Sequence, residues 1–156
     1  MRGDQPILGV VYHPLLRELF VAEQGTEATM NGRRIRVGKI AILKNTIVAM
    51  NKTPGTMETT RYSRELTTLL PKIRTNRCLG ATALDLCYVA AGRLDGFTCI
   101  GCRLYDCAAG NYIAKKAGAR VTDFSGRSFK WTNEVSDIIV ANVSLNHQLV
   151  SLLRKV

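Results

Sequence analysis

The stretch whose residue types could do chemistry is Arg103-Leu104-Tyr105-Asp106-Cys107-Ala108-Ala109-Gly110. It follows a short apolar strand at Gly96-Phe97-Thr98 and opens a helix expected from Ala108 to Ala117. A carboxylate at such a junction sits beside unpaired helix N–H groups and the positive dipole end. One reading of Asp106 is a helix cap, since Asp is favoured just before an apolar helical run. The other is a hard oxygen ligand for Mg²⁺, at a helix start that also favours a phosphate. Cys99, Cys102 and Cys107 crowd the same stretch as C-x₂-C-x₄-C. A C-x₂-C pair is half of many zinc sites. No fourth ligand is evident, so a zinc or iron–sulfur site stays an alternative beside an ordinary loop.

The elements around this stretch set its context. Ile7 to Tyr12 and Leu19 to Ala22 read as a hairpin interrupted by His13-Pro14. His13, beside a proline, reads as a turn residue rather than a base. Asn31-Gly32 is a tight turn of the kind that accepts positive φ at both residues, and Arg33 to Val37 reads as the strand after it. Ile47 to Met50 is a buried-type strand. Pro54 suits the first turn of the next helix, whose apolar face runs from Met57 to Leu70. A strand from Ile73 to Cys78 leads to a strong helix, Ala83 to Ala91. There Leu84, Cys87, Tyr88 and Ala91 share a face, and Gly92 stops it. Asp85 reads as part of that helical pattern, not as a ligand. Strands at 94–99, 120–124 and 138–143 and a last helix at 145–153 complete the chain. Strands alternate with helices after an antiparallel start, which predicts an α/β fold, a layered α+β sandwich with a mixed sheet flanked by helices.

The 156 residues make a single domain-sized region, and 46% hydrophobic content is enough for a core. No apolar run reaches the ~20 residues of a membrane helix, and the start carries no secretory signal. The expectation is therefore a cytoplasmic protein whose five cysteines stay reduced, with Cys87 as core filler. The formal charge of +10 suits an anionic partner. The bases are dispersed, with Arg33, Arg34 and Arg36 on one arm and Lys115, Lys116 and Arg120 on another. They form no stripe interleaved with aromatics, so nucleic acid is the weaker partner class.

Taken together these segments resemble the inositol monophosphatase family of Mg²⁺-dependent, lithium-sensitive phosphatases. Leu8-Gly9-Val10-Val11-Tyr12-His13-Pro14 with Glu18-Leu19-Phe20 looks like the family's central hairpin. Gly25 through Asn31-Gly32 and Ile35-Arg36-Val37 looks like its G-x-G-A-x-x-N-G-x-x-I-x-V segment, with Glu27 where the second glycine is usual. The run from Gly80 to Gly96 is close to G-S-A-A-L-D-L-x-x-V-A-x-G-x-x-D-G, and Tyr105 to Gly110 to W-D-x-A-A-G with Tyr for Trp. The resemblance implies that Asp106 is a Mg²⁺ ligand. It implies that Arg77, Gly80, Ala81 and Thr82 meet the sugar or its phosphate. The family's inositol-binding glutamate falls on Cys99, and a thiol is a poor substitute for a carboxylate acceptor, so inositol selectivity weakens. Related members act on fructose bisphosphate or 3′-phosphoadenosine nucleotides.

Family members also carry a metal-binding glutamate and a D-P-x-D-G-T loop before the first hairpin. No D-P-x-D-G-T occurs in this sequence, and Gly3-Asp4-Gln5-Pro6 looks like the turn after it. Metal-assisted phosphate hydrolysis needs several carboxylates to hold ions and activate water. The expectation is thus the C-terminal portion of the family fold, incomplete or inactive alone. It would be completed by a missing N-terminal partner chain or a homo-oligomer such as a dimer. The first hairpin should then leave an open sheet edge and exposed apolar surface. The competing reading is a catalytically dead binding module for protein or RNA.

Overall fold

The computed structural model describes residues 2–3, 5–132 and 134–156, and of Thr56 only the backbone. The chain forms a small antiparallel sheet and then a larger mixed one. The first contains β1 (Leu8–His13), β2 (Glu18–Glu23), β3 (Thr29–Met30) and β4 (Arg33–Arg34), in sequence order. Asn31 and Gly32 turn β3 into β4 with φ of 49° and 76°, the left-handed pair that the dipeptide favours. The strand expected over 33–37 pairs only at Arg33 and Arg34. The Ile35 N–H still donates to the Ala28 carbonyl at 2.9 Å, and beyond it the Val37 N–H donates to the carbonyl of Ala117 instead.

The second sheet holds β5 (Ile47–Lys52), β6 (Thr75–Arg77), β7 (Gly96–Arg103), β8 (Arg120–Thr122) and β9 (Val135–Ala141), in the order β6-β5-β7-β9-β8. β5 runs parallel to β6 and β7, while β9 runs antiparallel to β7 and β8. Four helices pack on it: α1 (Thr56–Leu69), α2 (Thr82–Ala90), α3 (Leu104–Lys116) and α4 (Val143–Leu153). Pro54 precedes α1 by two residues rather than starting its first turn, and Gly55 takes the capping position. The turn expected at Gly3-Asp4-Gln5-Pro6 includes Asp4, which lies outside the described residues.

Strand alternation sends side chains to two cores, one on each face of the mixed sheet. Val48, Met50, Ile100, Ile139 and Ala141 point toward α1 and α4, whose Leu69, Leu145, Leu149 and Leu153 close one cluster. Ala49, Phe97, Cys99, Ile138 and Val140 point the other way, onto Leu86, Val89 and Ala90 of α2 and Ile113 and Ala114 of α3. Phe20 and Ala22 of β2 join this cluster, so the small sheet covers the far side of α2 and α3. The fold is a layered α+β sandwich: helix pair, mixed sheet, helix pair, antiparallel sheet. Arg93 fastens the outer layer, its guanidinium donating to both oxygens of Glu18 at 2.9 and 2.6 Å and lying 4.9 Å from the Tyr88 ring centroid.

The outer face of the small sheet has no layer upon it among the described residues. Leu8, Val10, Tyr12 and Leu19 are exposed there, and Leu15 and Leu16 continue the patch into the turn. Val10 pairs with Val21 and Tyr12 with Leu19, so these side chains share one face. Gly9 and Val11 point inward. This is the apolar surface anticipated from the sequence.

α3 is gripped on two sides where side chains are absent. A Cβ at Gly110 would stand 2.7 Å from Leu86 Cβ and 3.1 Å from the Ala83 carbonyl oxygen of α2. A Cβ at Gly9 would stand 3.0 Å from the Ala109 carbonyl oxygen of α3. The terminal glycine of Tyr105-Asp106-Cys107-Ala108-Ala109-Gly110 is therefore a helix-crossing residue. Gly→Ala within a helix ordinarily adds up to about 1 kcal/mol of stability. Here overpacking reverses the sign, and Gly110→Ala should cost about 1–3 kcal/mol. Urea unfolding followed by fluorescence of Trp131 checks this, and a variant as stable as the parent would remove the crossing argument.

Candidate active site

The carboxyl ends of parallel strands are where α/β sheets bind ligands, because helices begin there. β5 and β7 end side by side, and a cavity of about 220 Å³ opens at that edge. Lys52, Thr53 and Pro54 contribute from the end of β5, and Thr82 from the first turn of α2. Cys99 and Cys102 contribute from β7, and Arg103, Tyr105 and Asp106 from the start of α3. Neither α2 nor α3 has a side chain capping its first N–H groups. Two helix N-termini and two cationic side chains thus meet at one small cavity, a setting that favours an anion.

Of the residues singled out from the sequence, Thr82, Cys99 and Asp106 come together here. Arg77, Gly80 and Ala81 do not line the cavity. Arg77 ends β6, while Gly80 and Ala81 lie on the loop from β6 to α2, and Arg77 Nη1 donates to Thr75 Oγ1 at 3.1 Å and to the Asn76 carbonyl at 2.8 Å. Cys102 of the cysteine cluster and Arg103 of the opening stretch join Thr82, Cys99 and Asp106, whereas Lys52 and Thr53 have no sequence signal beyond Lys52-Thr53-Pro54 at a strand end. His13 accepts the Leu16 N–H at 3.1 Å, the turn role expected of it.

Asp106 is not the cap of its helix. α3 begins at Leu104, four residues earlier than expected, with extended Arg103 in the capping position. Asp106 is the third helical residue, exposed, and it complements the dipole from within the first turn.

What aims this turn is a β-bulge. Cys99 pairs with Ile138 and Cys102 with Ser136, so Ile100 and Gly101 together stand opposite Asp137. Gly101 supplies the left-handed φ of 68°. Its N–H donates to Asp137 Oδ1 at 2.9 Å, and its carbonyl accepts from the Thr53 hydroxyl. Arg61 Nη2 holds the other Asp137 oxygen at 2.6 Å. In a regular strand residues three apart face opposite ways. The extra residue puts Cys102 on the same side as Cys99, and both join Cys107 in one buried cluster. Each thiol donates to a main-chain carbonyl, Cys99 to Ile100 and Cys102 to Arg103 at 3.8 Å and Cys107 to Leu104 at 3.7 Å. The neighbouring thiols pull the pKa of Cys102 down, while Cys102 and burial push those of Cys99 and Cys107 up. Among the described residues, no group of three or more His, Cys, Asp or Glu side chains is placed to hold a metal ion.

Two buried carboxyls lie behind the cavity. Asp85, in the first turn of α2, accepts from Asn51 Nδ2 at 2.9 Å, and Asn51 Oδ1 accepts from Cys78 Sγ at 3.0 Å. This chain of contacts ties β5, α2 and the loop after β6 together, which is the structural role that the helical pattern gave Asp85. Burial raises its pKa to about 6, against the Asn51 hydrogen bond. Glu65 of α1 is wholly enclosed. Thr98 faces it, but no hydrogen bond of ordinary geometry reaches either oxygen. Burial, with a smaller push from Asp137, raises its pKa to about 7.

With that geometry in view, the relatives decide the lineage. The model of the inositol monophosphatase family matches residues 1–156. The chain belongs to the inositol monophosphatase family. It is 34% identical over 155 residues to the inositol-1-monophosphatase of Mesorhizobium japonicum, covering 99% of this chain and 58% of that protein. It is 38% identical over 157 residues to inositol monophosphatase 1 of Solanum lycopersicum, covering 97% of this chain and 56% of that protein. The Nus factor SuhB of Escherichia coli is 40% identical over 124 residues, 76% of this chain and 45% of that protein. Among solved structures, the extragenic suppressor protein SuhB of Bartonella henselae superposes with a TM-score of 0.87 at 35% identity, over 96% of this chain and 57% of that one. These matches thus cover between 45% and 58% of the relatives' own length. No helix among the described residues is long and apolar enough to cross a membrane.

The enclosed carboxyl of Glu65 gives a pH signature of stability. Its folded pKa lies above its ordinary value of 4.5, so the folded chain holds a proton that the unfolded chain has released. Stability should fall as pH rises from about 4.5 to about 7, by on the order of 3 kcal/mol in all, and stay low above that window. Asp85 adds to the slope in the same direction between 3.8 and about 6. Glu65→Gln should flatten most of the fall, as read by urea midpoints across pH. An unchanged slope would show that Glu65 is ionised in the folded chain.

Proposed function

We propose that this chain supplies the substrate-facing part, and one metal ligand, of a Mg²⁺-dependent phosphomonoester hydrolase acting on an inositol or sugar phosphate. The observation that carries the proposal is the cavity itself. Asp106, Thr82, Lys52, Arg103 and two helix N-termini converge at the carboxyl ends of β5 and β7. The phosphate is the group this lining suits. Lys52 and Arg103 offer charge, Thr82 a hydroxyl and the helix ends N–H donors.

The residues present fit Mg²⁺ only in part. Mg²⁺ takes a near-octahedral set of oxygens, and Asp106 is the single carboxylate lining the cavity. The three thiols beside it are soft ligands that do not suit this ion. When bound, Mg²⁺ polarises the phosphoryl group and activates water. The further carboxylates for that task are proposed to come from polypeptide beyond these 156 residues, whether a preceding segment or a partner. The exposed apolar face of Leu8, Val10, Tyr12 and Leu19 is where such a segment, or a second copy, would dock. Cys99 replaces the hydroxyl-binding carboxylate implied by the resemblance. Recognition should therefore rest on the phosphate more than on the ring.

A second reading, a binding module for protein or RNA, gains support from the Nus factor relatives and from the +10 charge. Binding of that kind would weaken steeply with salt and be indifferent to Asp106.

The test is Mg²⁺-dependent phosphate release from inositol 1-phosphate. The chain alone should show no turnover. Supplemented with the N-terminal portion of the Mesorhizobium relative, it should gain turnover that Asp106→Asn abolishes. Turnover unchanged by Asp106→Asn would refute the assigned role.

A further inference from the structure

The cysteines at the cavity are absorbed neither by the metal nor by the phosphate reading. Cys99, Cys102 and Cys107 are all buried, and the three share one cluster. Cys99 and Cys102 also line the cavity, whereas Cys107 does not. A small oxidant therefore reaches Cys102 from the cavity and finds a second thiol behind it.

The positions decide which second thiol can bond. Cys99 and Cys102 belong to one strand, and both are held in the ladder by Ile138 and Ser136. Across the bulge they stand opposite residues two apart on β9, so their Cα atoms lie roughly 7 Å apart, at the outer limit of the 4.4–6.8 Å that a disulfide tolerates, and the ladder holds them there. Cys102 and Cys107 stand differently. Arg103 caps α3, so Cys102 is the residue before the cap and Cys107 the fourth residue of the helix. Those two positions are the pair that meets in a hydrophobic staple at a helix entrance. Here both staple residues are cysteine, and both are buried in one cluster.

We propose that Cys102 and Cys107 form a peroxide-oxidisable dithiol, closing reversibly to a disulfide at the entrance of α3. The Cys102 sulfur attacks one oxygen of a hydroperoxide and the O–O bond breaks. This leaves a sulfenic acid and releases water (from hydrogen peroxide) or an alcohol (from an organic hydroperoxide). The Cys107 sulfur then attacks the Cys102 sulfur, the S–O bond breaks, and hydroxide leaves with the Cys107 proton as a second water. Two thiols lose two electrons to one peroxide. A thiol reductant reverses the step by exchange. A partner thiol within reach is what separates a reversible sensor cysteine from one driven to irreversible oxidation. Asp106 lies on the turn that the bond would cross-link, so oxidation acts on the candidate site whatever ligand it takes.

Trypsin makes the test direct, because Arg103 separates the two cysteines. Cys102 falls with Cys99 in the peptide from Leu94 to Arg103, and Cys107 in the peptide from Leu104 to Lys115. The chain, carrying Cys78→Ser to remove the exposed thiol, is treated with hydrogen peroxide, alkylated in denaturant and digested. The expected product is the two peptides joined by one disulfide, with Cys99 alkylated, and fully reversed by a phosphine reductant. Cys99→Ser should leave the yield of joined peptides unchanged. Cys107→Ala should stop the reaction at a sulfenic acid on Cys102, trapped by dimedone. A bond inside the Leu94–Arg103 peptide, joining only between chains, or free thiols at Cys102 and Cys107 after prolonged peroxide would each overturn the proposal.

Discussion

A single extra residue in β7 organises the functional edge of this fold. Ile100 and Gly101 stand against Asp137 alone, and everything beyond them is rotated relative to a regular strand. Without that bulge Cys102 would face α1, and the entry of α3 would be aimed elsewhere. The bulge is held by hydrogen bonds from three elements. Asp137 on β9 takes the Gly101 N–H, Thr53 beyond β5 donates to its carbonyl, and Arg61 on α1 fixes Asp137. Gly101 is needed for its φ of 68°, a conformation that L side chains rarely adopt.

The second constraint is the seating of α3 between two layers. Gly110 lets it approach α2, and Gly9 lets β1 approach its other side. Removing side chains at these crossings forgoes some hydrophobic burial there but fixes the helix in position to within the tolerance of close packing. Bulge and crossings together determine where Asp106 stands. One sets the entrance of the helix and the others its course. The enclosed Glu65 is a cost borne on the opposite face of the same sheet, beneath Thr98. The geometry offers no stabilising reason for a carboxyl at that position.

Much of this was legible in the sequence. Leu84, Cys87, Tyr88 and Ala91 announced α2 by spacing, Asn31-Gly32 announced its turn, and the alternation of strands and helices announced a mixed layered sheet. The start of α3 was not legible. Arg103 caps it without a capping side chain, while Asp106 has the chemical character of a cap and occurs one turn too late to be one. The bulge was hidden for a related reason. Pairing register is a property of two strands, and within β7 itself Gly101 is the residue whose left-handed φ the bulge uses. Arg77 was legible as a residue type and not as a conformation, since its guanidinium bonds to its own strand. Asp137 carried no signal, because its partners are backbone and a distant arginine.

The proposed function requires a divalent cation and a phosphate to meet at Asp106, between the starts of α2 and α3. The most direct measurement is paramagnetic line broadening of backbone amides by Mn²⁺, in place of Mg²⁺, with inositol 1-phosphate present. Broadening should centre on Thr53, Thr82 and Tyr105 to Cys107, and it should vanish in Asp106→Asn. Broadening centred elsewhere, or persisting unchanged without the Asp106 carboxylate, would contradict this account of the site.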